Sequence, residues 1–167
     1  MTGIASERAT MINVAKRVLN AVGYDYGHWT RTVMYRECFA LLRELGPERL
    51  DALEISAGDK FQALGFQSYT EANYPAFDIC EGALDQQFDL VIADQVFEHL
   101  LWPYRAAQNV YAMLKPGGYF LVTTPFLIRR HPIPYDCTRW TETGMKYFLA
   151  EAGFPLETTR TFAWGNR

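Results

Sequence analysis

Two features that mark large functional classes are missing from this chain. No apolar stretch approaches the ~20 residues that a membrane-spanning helix needs. No cluster of Lys and Arg occurs, and 16 basic against 19 acidic side chains leave a net charge of −3. A nucleic-acid-binding domain usually carries a concentrated basic surface. We therefore expect neither a membrane nor nucleic acid to be the partner.

Cysteine is also scarce. The three cysteines, Cys38, Cys80 and Cys137, are scattered, without the close pairs that bind structural metals. This pattern predicts reduced thiols and no metal site. The N-terminus lacks the charged-then-apolar pattern of a signal peptide, so we expect a cytoplasmic location.

What the chain does have is apolar and aromatic content sufficient for a core. Its 167 residues are 49% hydrophobic and 15% aromatic, which is typical of one folded domain rather than of a disordered segment. Neither a repeat nor a linker divides it. The sequence predicts a single domain over residues 1–167, and its oligomeric state, monomer or homodimer, stays open.

Hydrophobic patterning predicts strands that alternate with helices. Helical spacing marks four segments, and short apolar runs mark six strands. The predicted helices are residues 10–21, 30–45, 104–114 and 141–152, with a short helix at 60–64; the predicted strands are 50–55, 66–71, 77–80, 90–93, 119–123 and 155–164. This order favours an α/β fold with an open, mostly parallel sheet and helices on both faces.

The turn after the first predicted strand points to a particular ligand chemistry. It contains one glycine, Gly58, where a pyrophosphate-binding turn has three, and Asp59 adds negative charge. That combination suits a cationic or zwitterionic ligand. Glu71 follows at the end of the next strand, where an acid can accept two hydroxyl hydrogens of a ribose. By itself Glu71 could equally be a solvated loop acid.

Four motifs resemble those of the class I S-adenosylmethionine-dependent methyltransferases, in the small-molecule branch. In chain order they are Leu-Glu54-Ile-Ser-Ala-Gly58, Phe-Asp89-Leu-Val-Ile, Val-Phe-Glu98-His99-Leu and Leu-Lys115-Pro-Gly-Gly118. The resemblance spans residues 50–154. It implies a Rossmann-like sheet, an N-terminal helical lid over residues 1–46, an α/β core over 47–167, and S-adenosylmethionine as cofactor with S-adenosylhomocysteine as product.

The resemblance also implies roles for individual residues. The methionine part of the cofactor would meet Glu54, Ser56 and Gly58. The remaining expected cofactor residues are Glu71 at the ribose, Asp78 and Ile79 at the adenine, and Asp94 and Gln95 at the methyl end. His99 has no assured catalytic role, and packing near the site is expected of it.

The chain departs from the family pattern in two places. Ser56 and Lys60 stand where the family carries its first and third glycines. The family's sheet ends in an antiparallel pair of strands, and only residues 165–167 follow the last predicted strand. We therefore expect the seventh strand to be missing from this chain.

A proline-rich loop over residues 125–141 is the candidate substrate loop. His131 is its best general base, because an imidazole titrates near neutrality. Tyr135, Asp136 and Arg139 are candidate substrate residues. The alternative is structural: Asp136 pairs with Arg139 and caps the next helix, and His131 only packs.

A second aromatic cluster precedes the strong N-terminal helix. Tyr26, His28 and Trp29 would close on the substrate if this segment acts as a lid. Packing between the helix and the sheet is the competing interpretation for Trp29.

The sequence thus predicts methyl transfer to an O, N or C nucleophile of a small molecule, with a sugar or natural product as one implied class. Two alternatives use the same fold: another reaction of S-adenosylmethionine, or a non-catalytic nucleotide-binding or interaction module. A nicotinamide dehydrogenase is disfavoured, because the pyrophosphate fingerprint is lacking.

Overall fold

Parallel strands with helices on both sides make up the part of the chain that the structure describes. The computed structural model describes residues 29–132 and 134–164, so the predicted helix at 10–21 lies outside it. The strands are β1 (Asp51–Ile55), β2 (Ser68–Ala72), β3 (Phe88–Asp94) and β4 (Leu114–Thr123). The helices are α1 (Trp29–Leu45), α2 (Pro103–Ala112) and α3 (Glu142–Glu151).

The sheet has the order β2-β1-β3-β4, and every pair is parallel. This confirms the predicted open α/β sheet. Going outward from the centre, the chain runs from β1 to β2 on one side and from β3 to β4 on the other. Such a reversal leaves a crevice at the carboxyl ends of the two central strands, where ligands bind in this class of fold.

Alternation along β3 explains why both faces of the sheet are covered. Leu90 and Ile92 face α1, where they pack with Met34, Cys38 and Leu42. Val91 and Ala93 face the opposite side, in one cluster with residues from α2 and α3. Because both faces are buried, the strand is a continuous apolar run. The predicted helices on both faces are thereby confirmed.

Two predicted strands are wrong. In residues 77–80, the Asp78 side chain accepts the Cys80 N–H at 2.8 Å, which makes a turn. In residues 155–164, the Pro155 carbonyl accepts the N–H groups of Thr158 and Thr159. Neither segment pairs with a strand among the described residues. The predicted helix at 60–64 shortens to one 3-10 turn, Gln62–Leu64.

Thr141 ends the loop before α3 as the predicted cap. Its side-chain oxygen accepts the Gly144 N–H at 3.0 Å, which satisfies one of the free amides of the first turn. None of the helices within the described ranges is long and apolar enough to span a membrane.

Lys115 joins two strands at the amino edge of the sheet, and this ion-pair network predicts acid sensitivity. Its ammonium group lies 2.8 Å from both Asp51 and Asp89. Lys115 lowers the pKa of each carboxyl below its usual range. The stabilisation is therefore present above the unfolded Asp pKa of about 3.9 and is lost as pH falls through the lowered folded value.

We expect Lys115→Met to lower the free energy of unfolding at about pH 7 and the difference from the native protein to shrink toward about pH 2. Urea denaturation across this range measures it. Arg36→Met is the control, because the Arg36–Glu37 pair is exposed on one helix and should contribute little. If the difference in unfolding free energy between Lys115→Met and the native protein did not change with pH, the lysine would act through packing alone.

Candidate functional site

Three carboxylates stand at the carboxyl ends of three adjacent strands. Glu54 in β1 lies opposite Glu71 in β2, and its other neighbour, Ile92, is two residues before Asp94 in β3. Neighbouring strands lie ~4.8 Å apart. The predicted cofactor acids are therefore gathered at one edge of the sheet.

Glu54 is held in place beneath the glycine turn. It is 1% exposed, and its Oε1 accepts the Gly58 N–H at 3.1 Å while the Tyr69 hydroxyl donates to Oε2. Burial raises the pKa of this carboxyl, and the negative charges of Asp94 and Glu71 raise it further. A cation at this edge would favour the ionised form.

The amide groups of the turn are already used. The Ser56 N–H donates to the Ala72 carbonyl at 2.9 Å, and the Ala57 N–H donates to the Asn73 side chain at 2.7 Å. With Gly58 bonded to Glu54, no amide of residues 56–58 remains for a phosphate oxygen. This geometry disfavours a pyrophosphate ligand.

Two residues at the edge adopt the left-handed conformation that usually requires glycine. Ser56 has φ 52° and Gln95 has φ 56°. Such conformations in residues other than glycine cluster at functional sites. Ser56, where the resemblance places a glycine, thus adopts a backbone conformation that favours glycine. At Gly58, an added Cβ would meet only Lys60 Nζ, at 3.7 Å, so there is open space above the turn.

Asp94 connects the sheet to α1. Its Oδ2 accepts the Tyr35 hydroxyl at 2.7 Å, and its Oδ1 accepts the Thr123 hydroxyl. Burial, with help from Asp94, raises the pKa of Tyr35 to about 12, so the phenol stays a donor. The side chain of Gln95 donates to the same Thr123 hydroxyl at 3.1 Å.

The predicted adenine residues are placed differently from one another. Ile79 is 3% exposed, and its side chain belongs to the core. Its carbonyl accepts the Asn109 side chain at 2.7 Å. Asp78 is half-buried and holds its own turn.

The substrate loop is organised by an ion pair. Arg139 lies 2.5 Å from Asp136 Oδ1 and lowers the pKa of that carboxyl. Asp136 Oδ2 accepts the His131 N–H at 3.0 Å. The Asp136–Arg139 pair that the structural alternative predicted is thus present, but the cap of α3 is Thr141 and not Asp136. The Tyr135 side chain is exposed.

A cluster that the sequence analysis did not assemble lies beside this loop. Glu98, His99 and His131 each have one side-chain nitrogen or oxygen within 4.8 Å of those of the other two. Glu98 is fully buried, and neither of its oxygens has a hydrogen-bond partner within the described residues. Burial raises the pKa of this carboxyl. The one sequence indication was the Glu-His pair directly after a buried strand.

These groups do not all surround one cavity. An open cleft of about 2050 Å³ runs along β4, and Gln95, Glu98, His99 and His131 line it. The strand-end carboxylates Glu54, Glu71 and Asp94 do not line this cleft. Trp29, 64% exposed, lines the cleft at the start of α1. Tyr26 and His28 lie outside the described residues.

Comparison with known proteins gives a consistent family. A family model described as a methyltransferase domain matches residues 5–159. A probable S-adenosylmethionine-dependent methyltransferase from Mycolicibacterium smegmatis is 33% identical over 104 residues, covering 55% of this chain and 40% of that protein.

Solved structures align with this chain at low identity. The DhpI–SAH complex aligns with a TM-score of 0.53 and 16% identity, covering 84% of each chain. The sugar N-methyltransferase KedS8 from a Streptoalloteichus species aligns with a TM-score of 0.46 and 17% identity, over 62% of this chain and 50% of its own. The chain thus spans about half or less of the length of two of these relatives.

Proposed function

Because the chain belongs to the methyltransferase-domain family, we propose that it transfers the methyl group of S-adenosylmethionine to a nucleophile of a small molecule. The observation that carries this proposal is the row of carboxylates, Glu54, Glu71 and Asp94, at the ends of adjacent parallel strands.

The chemistry of this row fits the cofactor. S-adenosylmethionine carries a positive sulfonium, an ammonium group and a ribose diol, and it has no phosphate. Clustered carboxylates attract the two cations, and a turn whose amides are bonded internally offers nothing to a phosphate. Glu71 is exposed, with the Asn73 amide as a weak partner at 3.4 Å. It can therefore accept both hydroxyls of a diol.

Each predicted cofactor residue then has a role in the proposal. Glu54, Ser56 and Gly58 lie beside the methionine part, and Glu71 holds the ribose. Asp78 and the backbone of Ile79 border the adenine, while Asp94 and Gln95 face the methyl end. The bound cofactor supplies an activated methyl group on a charged sulfur, and these residues orient it for in-line attack by the acceptor.

The acceptor side of the proposal rests on the cleft beside β4. His131 lines it with Gln95 and Trp140, so polar and aromatic groups face the same space. A small polar molecule, such as a sugar or a hydroxylated natural product with an O or N nucleophile, is the acceptor class proposed. Tyr135, Asp136 and Arg139 shape the loop at its border, and Tyr26, His28 and Trp29 are proposed to cover it.

Two measurements on the whole chain test the proposal. Calorimetry with S-adenosylmethionine should show binding, and mass spectrometry should show a labelled methyl group on a metabolite from a host extract. Binding without any labelled product would favour a non-catalytic module. Failure to bind the cofactor would contradict the proposal altogether.

Glu71→Ala should weaken cofactor binding selectively. Removing the charged acceptor should cost about 1.5–3 kcal/mol, roughly 10- to 150-fold in Kd. Glu71→Gln keeps one acceptor oxygen, so its Kd should fall between those of the native chain and Glu71→Ala. Glu48→Ala, an exposed acid before β1 at the opposite edge of the sheet, is the matched control. An unchanged Kd in Glu71→Ala would place the ribose elsewhere.

A further inference from the structure

We propose that Glu98, His99 and His131 form a binding site for a divalent transition-metal ion, of which Zn²⁺ is the best example. This site revises the expectation from the sequence, which predicted no metal site. The site is inferred from the geometry of these side chains.

The first observation is the buried carboxylate. Glu98 has no exposed surface, and both of its oxygens lack a hydrogen-bond partner in the part of the chain that the structure describes. Buried charges in proteins are paired or coordinate metals, because removing them from water is costly. An aliphatic side chain would fill this position at lower cost, and no described residue donates a hydrogen bond to the acid, so a bound cation is the partner that would stabilise its charge.

The second observation is the tautomer of His99. Its Nδ1 contacts the Tyr135 carbonyl, and a carbonyl can only accept, so Nδ1 carries the proton. With Nδ1 held in this way, Nε2 is the ring nitrogen left to bind an ion. A histidine ligand held by its other nitrogen on a backbone carbonyl is the usual arrangement around a bound metal.

The third observation is the spacing. His99 Nε2 lies 3.7 Å from Glu98 Oε1, too far for a hydrogen bond. Zn–N and Zn–O bonds of about 2.1 Å at a tetrahedral angle place their two ligand atoms roughly 3.4 Å apart. The observed gap therefore leaves room for an ion between the two atoms.

His131 completes the set. Its ring meets the ring of His99 edge-on, with 4.9 Å between centroids. Its Nδ1 is buried and has no hydrogen-bond partner within the described ranges, while Asp136 anchors its backbone N–H. The donor set is two imidazoles and one carboxylate. Such sets suit Zn²⁺, Fe²⁺ or Co²⁺, whereas Mg²⁺ prefers oxygen ligands.

The site also has access to ligands, because His99 and His131 are partly exposed and line the cleft beside β4. Three protein ligands leave a coordination position open, which is the arrangement of catalytic rather than structural zinc. A hydroxyl acceptor at that position would lose its proton more readily. This last role rests on the proposed function; the binding of the ion does not.

Metal titration of the whole chain, first freed of metal with a chelator, tests the site. We expect calorimetry to show one equivalent of Zn²⁺ bound, and Co²⁺ to give visible absorption bands of a low-symmetry site. Mg²⁺ should give neither heat nor stabilisation. Removing a hydrogen-bond partner of a metal ligand costs about 10- to 100-fold in affinity, and removing a ligand should cost at least as much. Glu98→Gln, His99→Ala and His131→Ala should therefore each raise the Kd for Zn²⁺ at least tenfold.

Glu98→Gln separates loss of metal from loss of fold. Glutamine has the same shape without the charge, so the metal-free variant should melt no lower than the native protein, and Zn²⁺ should no longer raise its melting temperature. Glu48→Gln is the control and should bind as the native chain does. His131 lies in the loop outside the helices and strands, which gives a second variant that keeps the core.

Three outcomes would overturn the site. They are no Zn²⁺ binding by the native chain, an equal Kd in Glu98→Gln and His131→Ala, or loss of binding in Cys137→Ser, which would place the ion on that nearby thiol. Binding of Zn²⁺ without binding of S-adenosylmethionine would support the metal site and contradict the proposed function.

Discussion

Replacing His131 by alanine should lower turnover about 100- to 10,000-fold, the usual contribution of a positioned acid–base group. The Kd for S-adenosylmethionine should not change, because His131 lies in the cleft beside β4 and not in the row of strand-end carboxylates. Single-turnover kinetics with the acceptor found by mass spectrometry would measure the rate, and calorimetry would measure the affinity.

Arg130→Ala is the control on the same loop, because its side chain is exposed and next to His131 in sequence. Its turnover should match that of the native chain. Native turnover in His131→Ala would return the imidazole to a packing role, which the sequence analysis left open.

A second comparison separates two ways in which His131 could act. As a general base it would work alone, and Glu98→Gln would leave much of the activity intact. As a metal ligand it would act together with Glu98 and His99, so all three variants should lose activity to a similar extent and the native chain should lose it on chelation. Residues that act as a unit show such non-additive losses.

Phe97→Ala should lower the free energy of unfolding by about 3–5 kcal/mol, the usual cost of removing a buried aromatic ring. Phe97 is fully buried. Its ring packs against Phe120 in β4 at 5.6 Å and Phe148 in α3 at 6.2 Å. The cost within this range depends on how far the surrounding side chains move into the space that the ring leaves.

The same ring holds the 3-10 turn Phe97–His99, so its loss should also disturb the neighbouring Glu98 and His99. Urea denaturation measures the stability change, provided that the unfolding free energy depends on urea concentration with the same slope in both proteins. Tyr147→Ala on α3 is the control, since this ring is 61% exposed and its loss should change stability by no more than about 0.5 kcal/mol. A cost below about 1 kcal/mol in Phe97→Ala would show that the core refills the space.

Local patterning predicted most of the fold. The helix at α1 follows from a stripe of apolar residues at helical spacing, and β3 follows from an apolar run that ends at Asp94. Both patterns are local, so a single sequence contains them. The prediction failed for residues 77–80 and 155–164, which form turns or irregular chain and no strand. A short segment of strand-like composition does not show whether a neighbouring strand is there to pair with it.

The grouping of the strand-end acids could also be predicted from the sequence. Parallel strands bring their carboxyl ends to one edge, so Glu54, Glu71 and Asp94 had to come together once the strands were identified. The sequence could not predict in the same way that Glu98, His99 and His131 lie together. His131 belongs to a loop whose path depends on the Asp136–Arg139 pair and on the position of α3.

The sequence by itself therefore determined the sheet, the methyltransferase-domain family and the acidic edge, because each depends on periodicity or on motifs at short range. Only the tertiary structure decided that Glu98 is buried without a hydrogen-bond partner among the described residues and that His99 and His131 lie beside it. Burial and the distance between side chains far apart in sequence depend on how the loop folds back onto the turn Phe97–His99. The segment from β3 to β4 thus contributes Glu98 and His99 to the proposed metal site, in addition to the motifs that indicate the family.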